Sequence, residues 1–460
     1  MRDPGETPDR KDQKEEKYTR LTTSPLYPLL WRMAIPSMIG MMMASVYSMT
    51  DTYFVGKLGR TDLTAAVGIV FSFLSVIQAV GFWFGYGSGN EISRQIGRKN
   101  DREAEKMASA GFAAAAVTGI IILISGLIFI RPLSLLLGAG TSKALNDAVI
   151  QYLRITLIGV PVMLISNVLY NQLRLQGAAR DSMTGLLAGM LLNMLLDPLF
   201  ILKLQMGVAG AATASLVGQS AGAVLLLMST RKNGNVPVYP LKAQSDLVHL
   251  KKMLAGGAPN FCRQGITSIS GVVMNHAAGA FGEPVLAGMT IALRLLQMGY
   301  ALVIGFGQGF QPICAVNYGA GKHERIKKAF LYALGTVTVF LMTAAFVFFT
   351  CGQHFILRFS SDPQTVRAAA DFLRAFSCVL PFMGYYILIG MFMQNIGRFG
   401  RATLITTMEN GIFLIPLACI FPLLFGYSGL IWCKSIASIC SLLFSALIGM
   451  RAFKKYLQTS

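Results

Sequence analysis

The most constraining feature of this sequence is an internal repeat, spaced by 220 to 223 residues, inside an almost wholly apolar chain. Pro36 and Pro259 are 223 residues apart, and the glycine-rich segment 85–89 recurs 220 residues later at 305–309. Duplicated membrane halves with helix breakers at matching places are typical of secondary transporters, because the interface between the halves can hold a site and rock around it. The repeat therefore indicates a transporter built from two related halves.

The amino-acid composition places both halves in a membrane. Hydrophobic residues make up 54% of the chain and charged residues only 13%, whereas a soluble domain has roughly twice that charged fraction. Spanning a bilayer takes roughly 20 apolar residues in a helix. Runs of that kind lie near residues 30–54, 63–90, 107–130, 148–172, 183–204, 208–229, 253–278, 284–314, 329–350, 367–393, 403–424 and 428–449. We predict an all-α polytopic membrane protein with twelve transmembrane helices in two pseudo-symmetric six-helix bundles.

These runs divide the chain into five segments. They are a cytoplasmic N-terminal tail at 1–25, an N-terminal six-helix bundle at 26–235, a cytoplasmic linker at 236–252, a C-terminal six-helix bundle at 253–450 and a cytoplasmic tail at 451–460. Because the first 25 residues are hydrophilic, we expect that tail to be disordered. The fifth and sixth spans of each bundle are closely spaced, and we expect their turns to be supplied by Gly207, Gly210, Gly426 and Gly429.

The net charge of +19 orients the protein and does not indicate nucleic-acid binding. With the N-terminus inside, the inner segments hold 27 Lys and Arg residues and the outer loops hold seven. Such an excess in short loops is the positive-inside rule, so we expect both termini in the cytoplasm of a bacterial inner-membrane protein. The seven cysteines show no metal-ligand spacing and are interpreted as packing residues.

Two aspartates inside the apolar spans are the strongest candidates for a functional site. A charged side chain at the bilayer centre costs about 2.5 to 3.5 kcal/mol. The presence of Asp51 and of Asp197 inside a span therefore requires a structural or functional explanation. Both fall in the outer half of their spans, and Asn193 lies one helical turn before Asp197 on the same face. Two carboxylates in a poorly hydrated cavity do not both ionise freely, so this set suits proton exchange, and its oxygens also suit Na⁺.

A structural interpretation stands beside each aspartate. Asp51 lies near the end of its span with Lys57 close by, which fits an interfacial residue. Asp197 precedes Pro198, and an Asp-Pro pair often marks a bend in a helix. The structural and functional interpretations are compatible at both positions.

The second half carries different intramembrane charges. Met274 stands at the repeat equivalent of Asp51, and the charges in its spans include Arg263, Arg294 and Glu409. Arg263 and Glu409 both fall in the cytoplasmic half of their spans, so we predict an ion pair between them, with binding of a cationic substrate by Glu409 as the alternative. We expect Lys434 to extend towards the membrane surface.

The glycine-rich segments 85–89 and 305–309 also resemble nucleotide-binding loops at first sight. Each lies inside an apolar span and follows no strand, so phosphate binding is not expected. Close packing of helices is the better interpretation of these glycines.

As a set, the motifs resemble those of the multidrug and toxic compound extrusion (MATE) family, in its bacterial DinF/MepA-like branch. The resemblance covers nearly everything after about residue 25. The matching pieces are Pro36, the Asp-Thr-Tyr-Phe-Val-Gly run at 51–56 with Gly59, the Arg-Gln-Ile-Gly turn at 94–97, Asn193 to Pro198, the run at 207–213 and the segment 309–321.

The resemblance implies two six-helix bundles that face each other as a V and exchange drugs or toxic organic cations for H⁺ or Na⁺, without a cofactor. The coupling residues it implies are Asp51, Asn193, Asp197 and Thr213, of which Asp51, Asn193 and Asp197 are the possible Na⁺ ligands. Another branch of the family has acidic residues in its C-terminal lobe, where this chain has Thr267 and Tyr385, so coupling through the N-terminal lobe is expected. We expect the substrate cavity to include Met43, Tyr47, Asn167, Arg263, Glu409 and Asn410.

Other functional classes remain as alternatives. A lipid-linked oligosaccharide flippase needs basic residues in its cavity, for which Arg263 and Arg294 are the candidates. A major-facilitator transporter also has twelve spans, but the basic turn at 93–99 lacks the acidic start of that family's motif. An enzyme is not expected, since the chain has no recognisable set of nucleophile and base. We expect a monomer with lipid and small molecules as its partners.

Overall fold

The computed structural model describes residues 8–56, 61–232, 234–239 and 247–456. Long helices account for nearly all of these ranges. The helices are α1 (Pro8–Thr23), α2 (Leu26–Gly56), α3 (Thr61–Gly97), α4 (Asp101–Ile128), α5 (Ile130–Leu136), α6 (Lys143–Leu175), α7 (Ala179–Asp197), α8 (Gly207–Ser229), α9 (Leu247–Gly279), α10 (Glu283–Gly319), α11 (His323–Ile356), α12 (Pro363–Asn395), α13 (Phe399–Thr407) and α14 (Leu414–Tyr456).

The long helices fall into two sets of six, as the sequence predicts. The first set is α2, α3, α4, α6, α7 and α8. In the second set, α9, α10, α11 and α12 are the first four spans, α13 continues into the first part of α14 as the fifth, and the rest of α14 is the sixth. In the second set, α14 is interrupted at Gly426, whose φ of 58° divides the helix into two spans, and Gly207, the first residue of α8, has the same φ at the matching place. Only glycine adopts this conformation without strain. The predicted role of Gly207 and Gly426 in the turns is therefore confirmed, whereas Gly210 and Gly429 lie within α8 and α14 and have no positive φ.

Each set contributes to one of two compact units. Unit 1 comprises Met1–Ser24 and Ile39–Gly257, and unit 2 comprises Pro25–Met38 and Ala258–Ser460. Each unit thus includes the first part of a helix that chain order assigns to the other half, namely α9 in unit 1 and α2 in unit 2. The division at 26–235 and 253–450 follows chain order and stays a prediction.

The two glycine-rich segments make these additions possible. In unit 1, a Cβ atom on Gly87 of α3 would overlap the backbone of Met253 in the first part of α9. In unit 2, a Cβ on Gly305 of α10 would lie 2.8 Å from Cα of Met38, in the first part of α2. Glycine allows two helix backbones to approach this closely. The interpretation of these segments as packing glycines is confirmed.

The N-terminal segment differs from the expectation of a disordered tail. Residues Pro8–Thr23 form α1, which packs on unit 1. Leu21 is fully buried, against the site of Gly177, and Lys14 forms an ion pair with Asp101 at 3.1 Å. The expectation was wrong because it rested on hydrophilic composition, whereas charged side chains of this helix have acidic and amide partners elsewhere in unit 1, such as Asp101 of α4 and Asn235.

Candidate functional site

The first candidate site lies where α7 ends in unit 1. Asn193 and Asp197 are both buried, with 2% and 0% of their surface exposed. After Asp197 the chain continues through Pro198 into a π-helical turn, Pro198–Lys203. Proline removes a backbone donor and π-helical turns interrupt regular helix bonding, so polar groups collect at this point inside an otherwise apolar helix.

The Asn193 amide has an unused acceptor. Its Nδ2 donates to Oγ of Ser215 on α8 at 3.1 Å. Its Oδ1 is buried and has no hydrogen-bond partner in the described part of the chain. A buried polar atom without a partner is costly, and such atoms mark places where a ligand, an ion or water completes the bonding.

Close packing of α7 and α8 determines where this amide lies. A Cβ on Gly218 of α8 would lie 2.5 Å from the carbonyl oxygen of Gly189 and 2.9 Å from Cβ of Asn193. Any larger residue at Gly218 would therefore push α8 away from the Asn193 turn. Asn193 can occupy this position because Gly218, the α8 residue that faces it, has no side chain.

Ser215 was missed by sequence reasoning, which named Thr213 instead. Thr213 donates its hydroxyl to the carbonyl of Ala209 in its own helix at 2.7 Å. Ser215, two residues further on, is the α8 residue that binds the Asn193 amide. A signal was available in the sequence, because Ser215 belongs to a stripe of small residues with helical spacing that includes Gly218 and Gly222.

Other predicted residues of the N-terminal half are only partly accounted for. Asp51 and Tyr47 lie in α2, but their side chains are outside the described residues, so their approach to Asp197 stays a prediction. Met43 is half-buried. Asn167 uses its Nδ2 to donate to the carbonyl of Met163 at 3.0 Å within α6.

A second polar cluster lies in unit 2 around Glu409. This carboxylate is 3% exposed and stands in a π-helical turn, Met408–Phe413, between α13 and α14. Ser438 Oγ donates to Glu409 Oε1 at 2.9 Å, and Lys434 Nζ lies 3.3 Å from the same oxygen. We refer to Glu409, Lys434, Ser438 and Asn410 as the Glu409 cluster.

The ion pair of this cluster differs from the predicted one. Glu409 pairs with Lys434 on α14 and not with Arg263 on α9, so the prediction of an Arg263–Glu409 pair was wrong. Lys434 was expected to extend to the membrane surface, but its side chain is only 12% exposed. The sequence indicates how deep each residue lies in the membrane. It does not show which helices are neighbours at that depth.

The cluster extends from the buried carboxylate to the surface of unit 2. Lys434 Nζ also lies 3.4 Å from Oδ1 of Asn410, whose Nδ2 donates to Oγ1 of Thr267 at 3.2 Å. Thr267 is exposed. Tyr386, which is buried, and Tyr300, which is half-buried, lie within electrostatic range of Glu409. Tyr385, named with Thr267 from the family pattern, packs its ring against Phe330.

Comparison with known proteins accords with this architecture. The MatE family model matches residues 36–199 and 259–420, once in each half of the chain. The multidrug export protein MepA of Staphylococcus aureus is 28% identical over 434 residues, which cover 93% of this chain and 95% of MepA.

Solved structures of similar proteins share the fold. One is a multidrug resistance MATE family transporter of the MOP superfamily in an outward-facing conformation, with a TM-score of 0.87 and 24% identity over 96% of this chain and 99% of that one. Another is a MOP superfamily transporter from Pyrococcus furiosus, with a TM-score of 0.85 and 24% identity over 95% of this chain and 98% of that one. At this identity the likeness concerns the fold alone. The predicted fold class is confirmed.

Proposed function

The chain belongs to the MatE family, and we propose that it exports organic cations of amphipathic character in exchange for H⁺ or Na⁺ by alternating access. The motif resemblance on which the sequence interpretation rested is thereby confirmed. The protein is a multi-pass membrane transporter, and we propose that it works as a monomer in a bacterial inner membrane with both termini in the cytoplasm.

The observation that carries the coupling proposal is the buried polar pair at the end of α7. Asp197 is fully buried, and the neighbouring Asn193 keeps an acceptor oxygen without a hydrogen-bond partner among the described residues. An ionised carboxylate in such surroundings favours the uptake of a positive charge, since a proton or Na⁺ removes the cost of burying it. Asn193 Oδ1 suits either role, because it accepts a hydrogen bond or contributes an oxygen ligand.

The proposed cycle uses this change of charge. The coupling cation enters from outside and neutralises Asp197 together with Asp51, the other carboxylate of the predicted site. This alters the interactions that hold α2, so that α2 bends and the substrate leaves the central cavity. A ligand drives such a change only through its different affinity for the two conformations, and a buried carboxylate supplies that difference.

The cargo proposal rests on the relatives and on the Glu409 cluster. MepA is named for the export of multiple drugs. Glu409 offers a buried carboxylate, and Tyr300 and Tyr386 lie near it. A carboxylate beside aromatic rings is chemistry that recognises an organic cation with an apolar body.

The test is ethidium transport by purified protein in liposomes, with a pH gradient and a sodium gradient imposed separately. We expect Asp197→Asn to abolish gradient-driven transport at normal expression. The matched control is Asp147→Asn, since Asp147 is an exposed aspartate in α6 of the same unit, and this variant should transport like the parent. Parental rates in Asp197→Asn would refute the coupling proposal, and absence of ethidium transport by the parent in both gradients would favour the flippase alternative.

A further inference from the structure

The bonds of Lys434 to its partners are unusually long for a buried ion pair. The ammonium lies 3.3 Å from Glu409 Oε1 and 3.4 Å from Asn410 Oδ1. Charge-assisted hydrogen bonds between an ammonium and a carboxylate are commonly about 2.7 to 2.9 Å. Lys434 is therefore shared between two oxygens and held closely by neither.

A second buried ion pair in this protein, between Glu91 and Arg94, has a closer geometry. In unit 1, Arg94 donates to Glu91 Oε2 through two of its nitrogens, and Gln95 donates to Glu91 Oε1 at 2.6 Å. That carboxylate is held on both oxygens by planar donors from its own helix, an arrangement suited to a structural role. Glu409 has instead a flexible lysine from a different helix.

The geometry also offers Lys434 a place to move. Asn410 Oδ1 already contacts the ammonium, and Asn410 leads on to Thr267 at the exposed surface. A lysine side chain has a four-carbon stem and a compact charge that reorients easily. When the ammonium swings towards Asn410, Oε1 of Glu409 is left with Ser438, and Tyr300 and Tyr386 remain nearby.

We propose that Lys434 is a tethered competitor of the exported cation, occupying Glu409 in the substrate-free protein and giving way when an organic cation binds. The inference rests on the proposed function, since it takes the cargo to be cationic. A buried carboxylate without a counter-charge is costly, so an internal ammonium keeps the empty site neutral. The same ammonium weakens substrate binding and speeds release, which an exporter of many compounds requires.

The test is equilibrium binding of ethidium to the purified protein, followed by fluorescence, in two variants that change Lys434 in opposite directions. Lys434→Met removes the competitor, and we expect ethidium to bind about tenfold more tightly and to dissociate more slowly. Lys434→Arg supplies a guanidinium that holds a carboxylate through two hydrogen bonds, and we expect ethidium to bind several-fold more weakly than to the parent. A merely structural pair predicts no such opposition, because Lys434→Met would then weaken binding or leave it unchanged.

A double variant provides a further check on the same binding assay. The Glu409→Gln, Lys434→Met double variant has neither charge, and we expect it to fold and to bind ethidium less tightly than Lys434→Met alone. Ethidium binding by Lys434→Met when the parent binds none would also support the inference. Binding by the parent with equal or weaker binding by Lys434→Met would overturn it and leave the proposed function intact. Absence of ethidium binding by all variants would overturn both.

Discussion

Lys17 is a lysine buried in the contact between α1 and the rest of unit 1, and we expect it to make the docking of α1 depend on pH. Its Nζ donates to Asn235 Oδ1 at 2.5 Å and lies 3.5 Å from Gln176 Oε1. Burial, followed by the nearby positive charge of Arg20, lowers the pKa of Lys17 from 10.5 to about 7, while Asp181 acts in the opposite direction. Release of α1 would return the side chain to water and restore the pKa of an ordinary lysine.

The direction of the pH effect follows from proton linkage. Docked α1 holds fewer protons than released α1 between the two pKa values of about 7 and 10.5, so docking strengthens as the pH rises through this window. Between pH 7 and pH 9 the gain is about 2 kcal/mol, or roughly 50-fold in the docking equilibrium. Below pH 7 the side chain is protonated in both states, and this contribution no longer changes.

Hydrogen exchange of the α1 amides measures the docking equilibrium. We expect protection factors, corrected for intrinsic exchange rates, to rise by more than tenfold from pH 7 to pH 9 in the parent. Lys17→Met should lose this dependence, because no proton is then exchanged at that position. Lys11→Met is the control, since Lys11 is an exposed residue of the same helix, and it should keep the parental dependence. Protection that stays flat or falls in the parent over this range would refute the reasoning.

Two further predictions concern the contact between α7 and α8. Gly218→Ala should destabilise the protein by about 1 to 3 kcal/mol and slow coupled transport, because the new Cβ would lie 2.5 Å from the Gly189 carbonyl and displace the turn that holds Asn193. Gly68→Ala, where a Cβ meets nothing within 4 Å, should change neither the melting temperature nor transport, and equal effects of the two substitutions would contradict the packing argument. Ser215→Ala should remove the hydrogen-bond partner of the Asn193 amide and lower the free energy of unfolding by about 1 kcal/mol, which a lower thermal midpoint would show. An unchanged midpoint together with an unchanged ion dependence of transport would show that this hydrogen bond contributes neither to stability nor to coupling.

Several features of this protein could be predicted from the sequence because they depend on local geometry. The helical period places Asn193 and Asp197 on one face of α7, and both are buried as that face turns inward. The glycines at 207 and 426 lie at turns because only glycine adopts their φ without strain. The family itself was recognisable, since its motifs are contiguous stretches of residues.

The partners of buried polar side chains were decided by the tertiary structure alone. Glu409 pairs with Lys434 and not with Arg263. The Asn193 amide donates to Ser215 and not to Thr213. Helix α1 packs on unit 1, although its composition suggested disorder. Each of these contacts joins two helices, or a helix and a loop. The periodicity of one helix shows which face is buried and at what depth, but the packing of the whole bundle selects the neighbour that meets it.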